Sequence, residues 1–91
     1  MRTTKEMIAT SIATRVHLQM KEIENMGGKY KLSELINTEV GLTEYRRDEG
    51  IEKINKNIKL HTKEFKMIVI EKLQTRLYAD GYFVSRNEIE K

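Results

Sequence analysis

The first third of the chain carries apolar residues at helical intervals. They follow one another at steps of four, four, four and three: Ile8, Ile12, Val16, Met20 and Ile23. These steps place the side chains on one face of an α-helix. The pattern predicts a helix from residue 4 to residue 26. Gly27 and Gly28 end it, because glycine adopts a left-handed conformation at low cost.

Two shorter elements are predicted next. Residues 29–32 alternate lysine with Tyr30 and Leu32, which is the period of a short strand. Ser33 is a good N-cap for a helix that Gly41 ends after residue 40. Thr43 can cap a further helix start.

The longest stretch without glycine lies between residues 50 and 81, and the chain contains no proline. Its side chains form a heptad-like seam at Ile51, Ile54, Ile58, His61, Phe65 and Ile68. This seam predicts one long helix over residues 51–79, or two helices broken near residues 59–62. His61 would be a partly buried polar group that sets the helix register. Residues 67–70 are apolar all round a helix and would be covered on more than one side.

The C-terminal part turns at residues 79–81 into a second strand-like segment, residues 82–85. We expect this segment to pair with residues 29–32 as a small ribbon that packs on the helices, since two short strands are not stable alone. Residues 86–91 are mostly charged and are predicted to be a frayed tail.

The predicted fold class is therefore mainly α (α+β). It has three to four helices, a long C-terminal helix and a small two-stranded β ribbon, with a winged-helix-like arrangement as one version. A chain of 91 residues is expected to form a single domain over residues 1–91.

The composition narrows the class of protein. Apolar residues make up 38% and charged residues 34%, and no stretch approaches the roughly 20 apolar residues of a membrane span. No signal peptide is predicted at the start of the chain. Cysteine is absent, which excludes disulfides, thiolate zinc sites and cysteine nucleophiles. We therefore expect a cytoplasmic protein without a membrane partner.

Candidate catalytic groups are few. His17 and His61 do not form a metal-type pair such as His-x-x-x-His. No serine lies in a Gly-x-Ser-x-Gly motif, and no glycine-rich phosphate loop is present. The carboxylate pairs alternate with basic or polar residues on faces expected to be exposed. The sequence thus predicts no enzyme, and no catalytic, cofactor-binding or metal-binding residues.

Residues 31–47 resemble the helix-turn-helix of small DNA-binding domains. The likeness rests on a short apolar helix that ends at Val40, on Gly41 in the tight turn, and on Thr43 as the next cap. The resemblance implies a DNA-binding regulator that acts through residues 33–49. Three carboxylates, those of Glu44, Asp48 and Glu49, depart from the pattern, since they would face phosphates.

Basic residues supply the candidate nucleic-acid contacts. Residues 46–91 hold eleven basic and eight acidic residues, so the whole net charge of +3 lies there. The candidates are Tyr45, Arg46, Arg47, Lys53, Lys56, Lys59, Lys63 and Lys66. The five lysines recur every three or four residues and could follow a phosphate backbone. They could equally form the solvated face of an amphipathic helix.

The apolar seam predicts a docking surface for a partner or a second copy. Its members are Ile51, Ile54, Ile58, Phe65 and Ile68. An exposed seam of this length marks an interaction site, so we expect a homodimer through residues 51–77. The first functional prediction is a small non-enzymatic regulatory protein that docks on another protein. Its composition, rich in Lys, Ile and Asn, is similar to that of phage and mobile-element accessory proteins or inhibitors. The DNA-binding regulator is the alternative.

Overall fold

The computed structural model describes residues 4–91, and in this part of the chain it contains four α-helices and no strand. The helices are α1 (Lys5–Asn25), α2 (Leu32–Asp48), α3 (Lys63–Ala79) and α4 (Arg86–Glu90). The predicted mixed fold, with a β ribbon and a long C-terminal helix, is therefore wrong. None of the described helices is long and apolar enough to cross a bilayer.

The predicted first helix is confirmed and forms the centre of the fold. The Thr4 side chain accepts a hydrogen bond from the backbone N–H of Met7 and so caps α1. Ala9 and Ala13 are fully buried on the same face as the larger apolar residues. These small side chains leave room for two neighbouring helices, and both α2 and α3 pack on α1.

Ion pairs between α1 and α3 show that the two helices run parallel. Near the start of both, Lys5 Nζ lies 3.6 Å from Glu64 Oε1. Near the end of both, Lys21 Nζ lies 2.8 Å from an oxygen of Asp80, the residue that follows α3. The α2 helix returns in the opposite direction after the turn at residues 26–31. Three helices therefore lie side by side, with α1 in contact with both of the others.

Residues 49–62 form an irregular segment, where the sequence predicted helix from residue 51. Asn55 is the local cause: its side-chain oxygen accepts from the backbone N–H of Asn57 at 2.9 Å, and its carbonyl accepts from the N–H of Ile58 at 3.1 Å. Such local bonds offer the backbone an alternative to the helix. The α3 helix begins only after Thr62, whose hydroxyl accepts from the N–H of Phe65.

The predicted apolar seam does not lie on one helix. Phe65 is fully buried in the core, and Ile54, Ile58 and Ile68 pack against the core as partly buried residues. Ile51 remains 66% exposed. Ile54 and Ile58 reach the core from non-helical backbone, whereas Phe65 and Ile68 reach it from α3. The seam is therefore mostly core.

The predicted β ribbon is replaced by a side-chain junction. Tyr30 and Tyr82 both donate their hydroxyls to the carboxylate of Glu24, at 2.9 Å and 3.2 Å. The two segments meet through this carboxylate rather than through backbone pairing. Each segment is also cut short by a helix, because α2 begins at Leu32 and α4 is capped by Ser85.

The helix-turn-helix resemblance is not realised either. The α2 helix continues through Gly41, and the hydroxyl of Thr43 donates to the carbonyl of Glu39 in the helix interior instead of capping a new helix. Without a turn at Gly41, no recognition helix begins at residue 43. The winged-helix-like version of the fold fails for the same reason.

The C-terminal segment is helical over most of the predicted frayed tail. Ser85 caps α4 by accepting from the N–H of Glu88, which is the Ser-x-x-Glu spacing of a helix start. Ile89 is fully buried in the common core. The burial of this one apolar side chain fixes α4 against α2 and α3.

Gly41 provides a test of the continuous α2. No atom lies within 4 Å of a Cβ added at Gly41, and its φ is not positive. Gly41→Ala should therefore stabilise the protein by about 0.5–1 kcal/mol in urea unfolding, because alanine loses less backbone entropy in a helix. A helix-turn-helix turn at this position would give a loss instead.

Gly50→Ala is the matched control. Gly50 also has open space around it, but its φ is +74°. The variant should lose about 1 kcal/mol, because an L-residue is strained in this conformation.

Candidate functional site

A groove lies between α2 and α3. Both helices pack on α1 but make few contacts with each other. The space between them is an open cavity of about 390 Å³, with α4 at one end. Its lining comprises Ser33, Ile36, Asn37, His61, Thr62, Lys63, Lys66, Met67, Ile70, Ile89 and Glu90. The volume lies in the roughly 300–1,000 Å³ range of ligand sites.

The floor of the groove is apolar. Ile36 of α2, Ile70 of α3 and Ile89 of α4 are buried core residues that lie beneath the groove, and Met67, which is only partly buried, lies beside them. Methionine is unbranched and flexible, so it adapts to differently shaped apolar groups. An apolar side chain placed here would extend the core outward.

The rim of the groove carries basic residues from the start of α3. Lys63 and Lys66 line it, and among the described residues no carboxylate lies within 4 Å of either ammonium group. The N-terminus of α3 adds partial positive charge at the same end. Glu90, from α4, is the one carboxylate that residues 4–91 contribute to the lining. The rim therefore presents more positive than negative charge.

His61 lies at this rim rather than on a helix seam. Its side chain is 50% exposed, and Nε2 lies 3.3 Å from Glu44 Oε1 on α2. The contact joins the irregular segment to α2. The predicted role of a partly buried register group is therefore wrong.

Of the two arginines predicted to contact nucleic acid, Arg47 bonds within the fold. Arg47 Nη1 donates to the carbonyl of Ile58 at 2.6 Å, and its guanidinium lies near the carboxylates of Glu44 and Asp48. Only 10% of its side chain is exposed. Arg46 is also partly buried, whereas Tyr45 is exposed. Arg47 thus anchors the irregular segment to α2.

The five predicted lysines do not share one helix face. Lys53, Lys56 and Lys59 lie on the irregular segment, where their backbone is not helical. Lys63 and Lys66 lie on the first two turns of α3. Only these last two line the groove.

A second polar cluster joins the end of α1 to the loop after α3. Asp80 accepts from Lys21 Nζ at 2.8 Å and lies 3.0 Å from His17 Nε2. The Glu24 carboxylate, one turn further along α1, receives the two tyrosine hydroxyls described above. These contacts involve a histidine, carboxylates and tyrosines, so the cluster is a candidate for acid–base chemistry.

The pKa shifts in the cluster favour the ordinary charge states. Hydrogen bonds from Lys21 and then from His17 lower the pKa of Asp80, and the same Lys21–Asp80 bond raises the pKa of Lys21. Burial, followed by the bond to Glu24, raises the pKa of Tyr30 to about 12. The pKa of Tyr82 is raised by the same two causes. None of these four groups is brought toward neutral pH, where a general acid or base operates best.

Among the described residues, the second ring nitrogen of His17 lacks the orienting partner that a catalytic triad has. Nδ1 is buried and has no hydrogen-bond partner within the described part of the chain. In a triad both ring nitrogens are engaged, one by the nucleophile and the other by an orienting carboxylate. The contacts of the cluster, called the clamp below, join α1 to the α3–α4 connection. Across residues 4–91 no three histidine or carboxylate side chains are grouped to hold a metal ion.

Comparisons with protein-family models, curated proteins and solved structures found no match for this chain. Its function is therefore inferred from the groove itself.

Sequence reasoning found part of this site. It named Lys63 and Lys66 among basic residues, and it required cover on more than one side for residues 67–70. It missed Ile36, Asn37 and Ile89, which other helices bring to the groove. A detectable signal was the Ser-x-x-Glu spacing at residues 85–88, which predicts a short helix that could bury an isoleucine.

Replacement of Arg47 tests its structural role. Arg47→Ala removes a charged hydrogen bond to a part-buried carbonyl, so it should lower the free energy of unfolding by about 1–3 kcal/mol. Amide hydrogen exchange should become faster in residues 51–62. Arg86→Ala, an exposed arginine on α4, is the control and should change neither quantity. Unchanged stability for Arg47→Ala would leave the arginine available as a ligand contact.

The clamp predicts a pH-dependent loss of stability. Because the folded pKa of Asp80 lies below its ordinary value of 3.8, the ionised group stabilises the fold above that value. This contribution is lost as pH falls through the folded pKa. Asp80→Asn should therefore lower the urea midpoint at neutral pH, and the difference from wild type should shrink in acid. Glu49→Gln, which alters an exposed carboxylate, should show no such convergence. A constant difference at every pH would contradict the clamp.

Proposed function

We propose that this chain is a small non-enzymatic docking protein that receives a segment of a partner protein in the groove between α2 and α3. The observation that carries the proposal is the open apolar floor between two helices that are both held by α1. Grooves of this kind accept an apolar side chain that anchors a peptide or helix. Binding in the groove would cover this segment of the partner, and so would regulate the partner.

The docking surface differs from the one that the sequence predicted. Residues 51–77 no longer supply a continuous seam for a homodimer, because Phe65 lies in the core and the preceding residues are not helical. The groove instead combines residues from α2, α3 and α4. We therefore keep the predicted role in protein docking, but we propose the groove as its location in place of residues 51–77. We place this role in the cytoplasm, which suits a cysteine-free sequence.

We do not extend the proposal to a DNA-binding regulator that acts through residues 33–49. That function needs a turn at Gly41 and accessible arginines. The α2 helix is continuous there, and Arg47 bonds to the irregular segment. Arg47, one of the predicted DNA contacts, is therefore engaged within the fold, which favours the docking proposal.

Site-specific photocrosslinking tests the docking site. A photoreactive amino acid at Asn37, an exposed residue of the groove lining, should give a discrete protein adduct in an extract of the source cells. The same photoreactive group at Thr10, exposed on α1, should not. Adding Met67→Asp to the protein labelled at residue 37 should remove the adduct, because a carboxylate on the apolar floor opposes burial of an apolar group.

Met26→Asp is the matched control for this experiment. Met26 is 78% exposed and lies outside the groove, so this variant should keep the adduct. Circular dichroism should show equal helix content for both methionine variants. Equal adducts from residues 37 and 10, or an adduct that survives Met67→Asp, would refute docking in the groove.

A further inference from the structure

We infer that the partner segment is acidic and carries a large apolar side chain flanked by carboxylates. This inference rests on the proposed function, since it names the chemistry of the segment that the groove receives. It follows from three features of the groove: the charge of its rim, the apolar character of its floor, and the segment of this chain that already lies at one end of it.

The rim charge is not neutralised within the fold. Lys63 and Lys66 have no ion-pair partner among the described residues, a property that they share with other lysines such as Lys29 and Lys56. Their position sets these two apart. Both unpaired lysines line the same cavity. A carboxylate brought to this rim would meet two ammonium groups that lose no existing partner. Charge complementarity therefore selects an acidic occupant.

The two lysines also oppose the dipole of their own helix. Lys63 is the first residue of α3, where unpaired backbone N–H groups favour negative charge, and Lys66 follows one turn later. Lysine at these positions costs a little helix stability and makes no compensating ion pair within residues 4–91. A local conflict of this kind is expected where a residue serves binding rather than folding. Bound carboxylates would relieve it.

The chain's own α4 shows the pattern that fits. Glu88, Ile89 and Glu90 are consecutive; Ile89 is fully buried at the end of the groove, and Glu90 lines it. An isoleucine between two glutamates thus already occupies this end. The open part continues along the same apolar floor toward Lys63 and Lys66. A partner segment of like chemistry would extend this packing.

Nucleic acid fits the groove less well. An apolar floor gives nothing to a sugar–phosphate backbone. The described chain places no arginine, which makes bidentate bonds to phosphate, in the lining. The mixture of an apolar floor and a lysine rim suits an apolar side chain with carboxylates beside it.

The test uses defined peptides with the full chain. A fluorescent helical peptide of about twelve residues, with leucine along one face and glutamate elsewhere, is titrated and followed by anisotropy. Two matched peptides replace every glutamate with lysine or every leucine with alanine. We expect binding of the first peptide only, and weaker binding as salt is raised.

Charge-reversal variants locate the interaction. Lys66→Glu should weaken binding of the acidic peptide by about tenfold or more, and Lys66→Arg should retain it. Lys29→Glu makes the same charge change at an exposed residue outside the groove and should alter binding by less than about twofold. Circular dichroism confirms that each variant is folded. Equal effects of Lys66→Glu and Lys29→Glu would overturn the inference, because they would reflect net charge alone.

The remaining outcomes separate this inference from the proposed function. If the basic peptide binds as well as the acidic one, and Met67→Asp removes both, the acidic preference is wrong and docking in the groove stands. The same holds if neither peptide binds but the Asn37 adduct persists and depends on Met67. If the wild-type chain binds no peptide and gives no Asn37 adduct, both proposals are overturned. A last outcome is that no peptide binds, but a single-stranded oligonucleotide does, and Lys66→Glu removes that binding. This result would assign the rim to nucleic acid and overturn the inference.

Discussion

The structure depends on the packing of two helices against the apolar face of α1. That face combines large residues with Ala9 and Ala13, which are fully buried and let neighbouring backbones approach. The α3 helix lies parallel to α1 and α2 lies antiparallel to it, so α1 holds both. Because each outer helix is fixed by α1, neither needs to close on the other. The groove is thus a consequence of how the bundle is assembled.

The irregular segment before α3 positions the basic residues of the groove. Arg47 bonds to the carbonyl of Ile58, and Leu60 is buried in the core, so the segment is held from two sides. Thr62 then starts α3 beside α2 and brings Lys63 into the rim. Charged residues in this region consequently divide into those that secure the fold and those that line the cavity. Side-chain type alone does not separate the two groups.

The sequence was sufficient for α1, where periodicity and a threonine cap agree with the tertiary packing. The prediction that the second helix ends at Gly41 was wrong. Glycine in a helix interior costs only about 1 kcal/mol, and the packing of Ile36 and Val40 in the core readily offsets this cost. The sequence also misled over residues 51–62, where the apolar spacing was helical but Asn55 made local bonds that compete with a helix. For the site, the sequence indicated the lysines. It could not indicate the floor, because Ile36 and Ile89 meet there only through tertiary packing.

The two ends of α3 carry charge in opposite ways. At its C-terminal end, Lys21 and His17 surround Asp80, and the tyrosine hydroxyls satisfy Glu24, so that the polar groups stabilise the junction with α1. At its N-terminal end, the two groove lysines find no partner in the part of the chain that the structure describes. The polar contacts at the C-terminal end thus secure the junction, whereas a ligand at the groove end would break no ion pair of Lys63 or Lys66 within the described residues. A chain of 91 residues can therefore keep a rim with excess positive charge beside an apolar floor, because the contacts that secure its helices lie elsewhere.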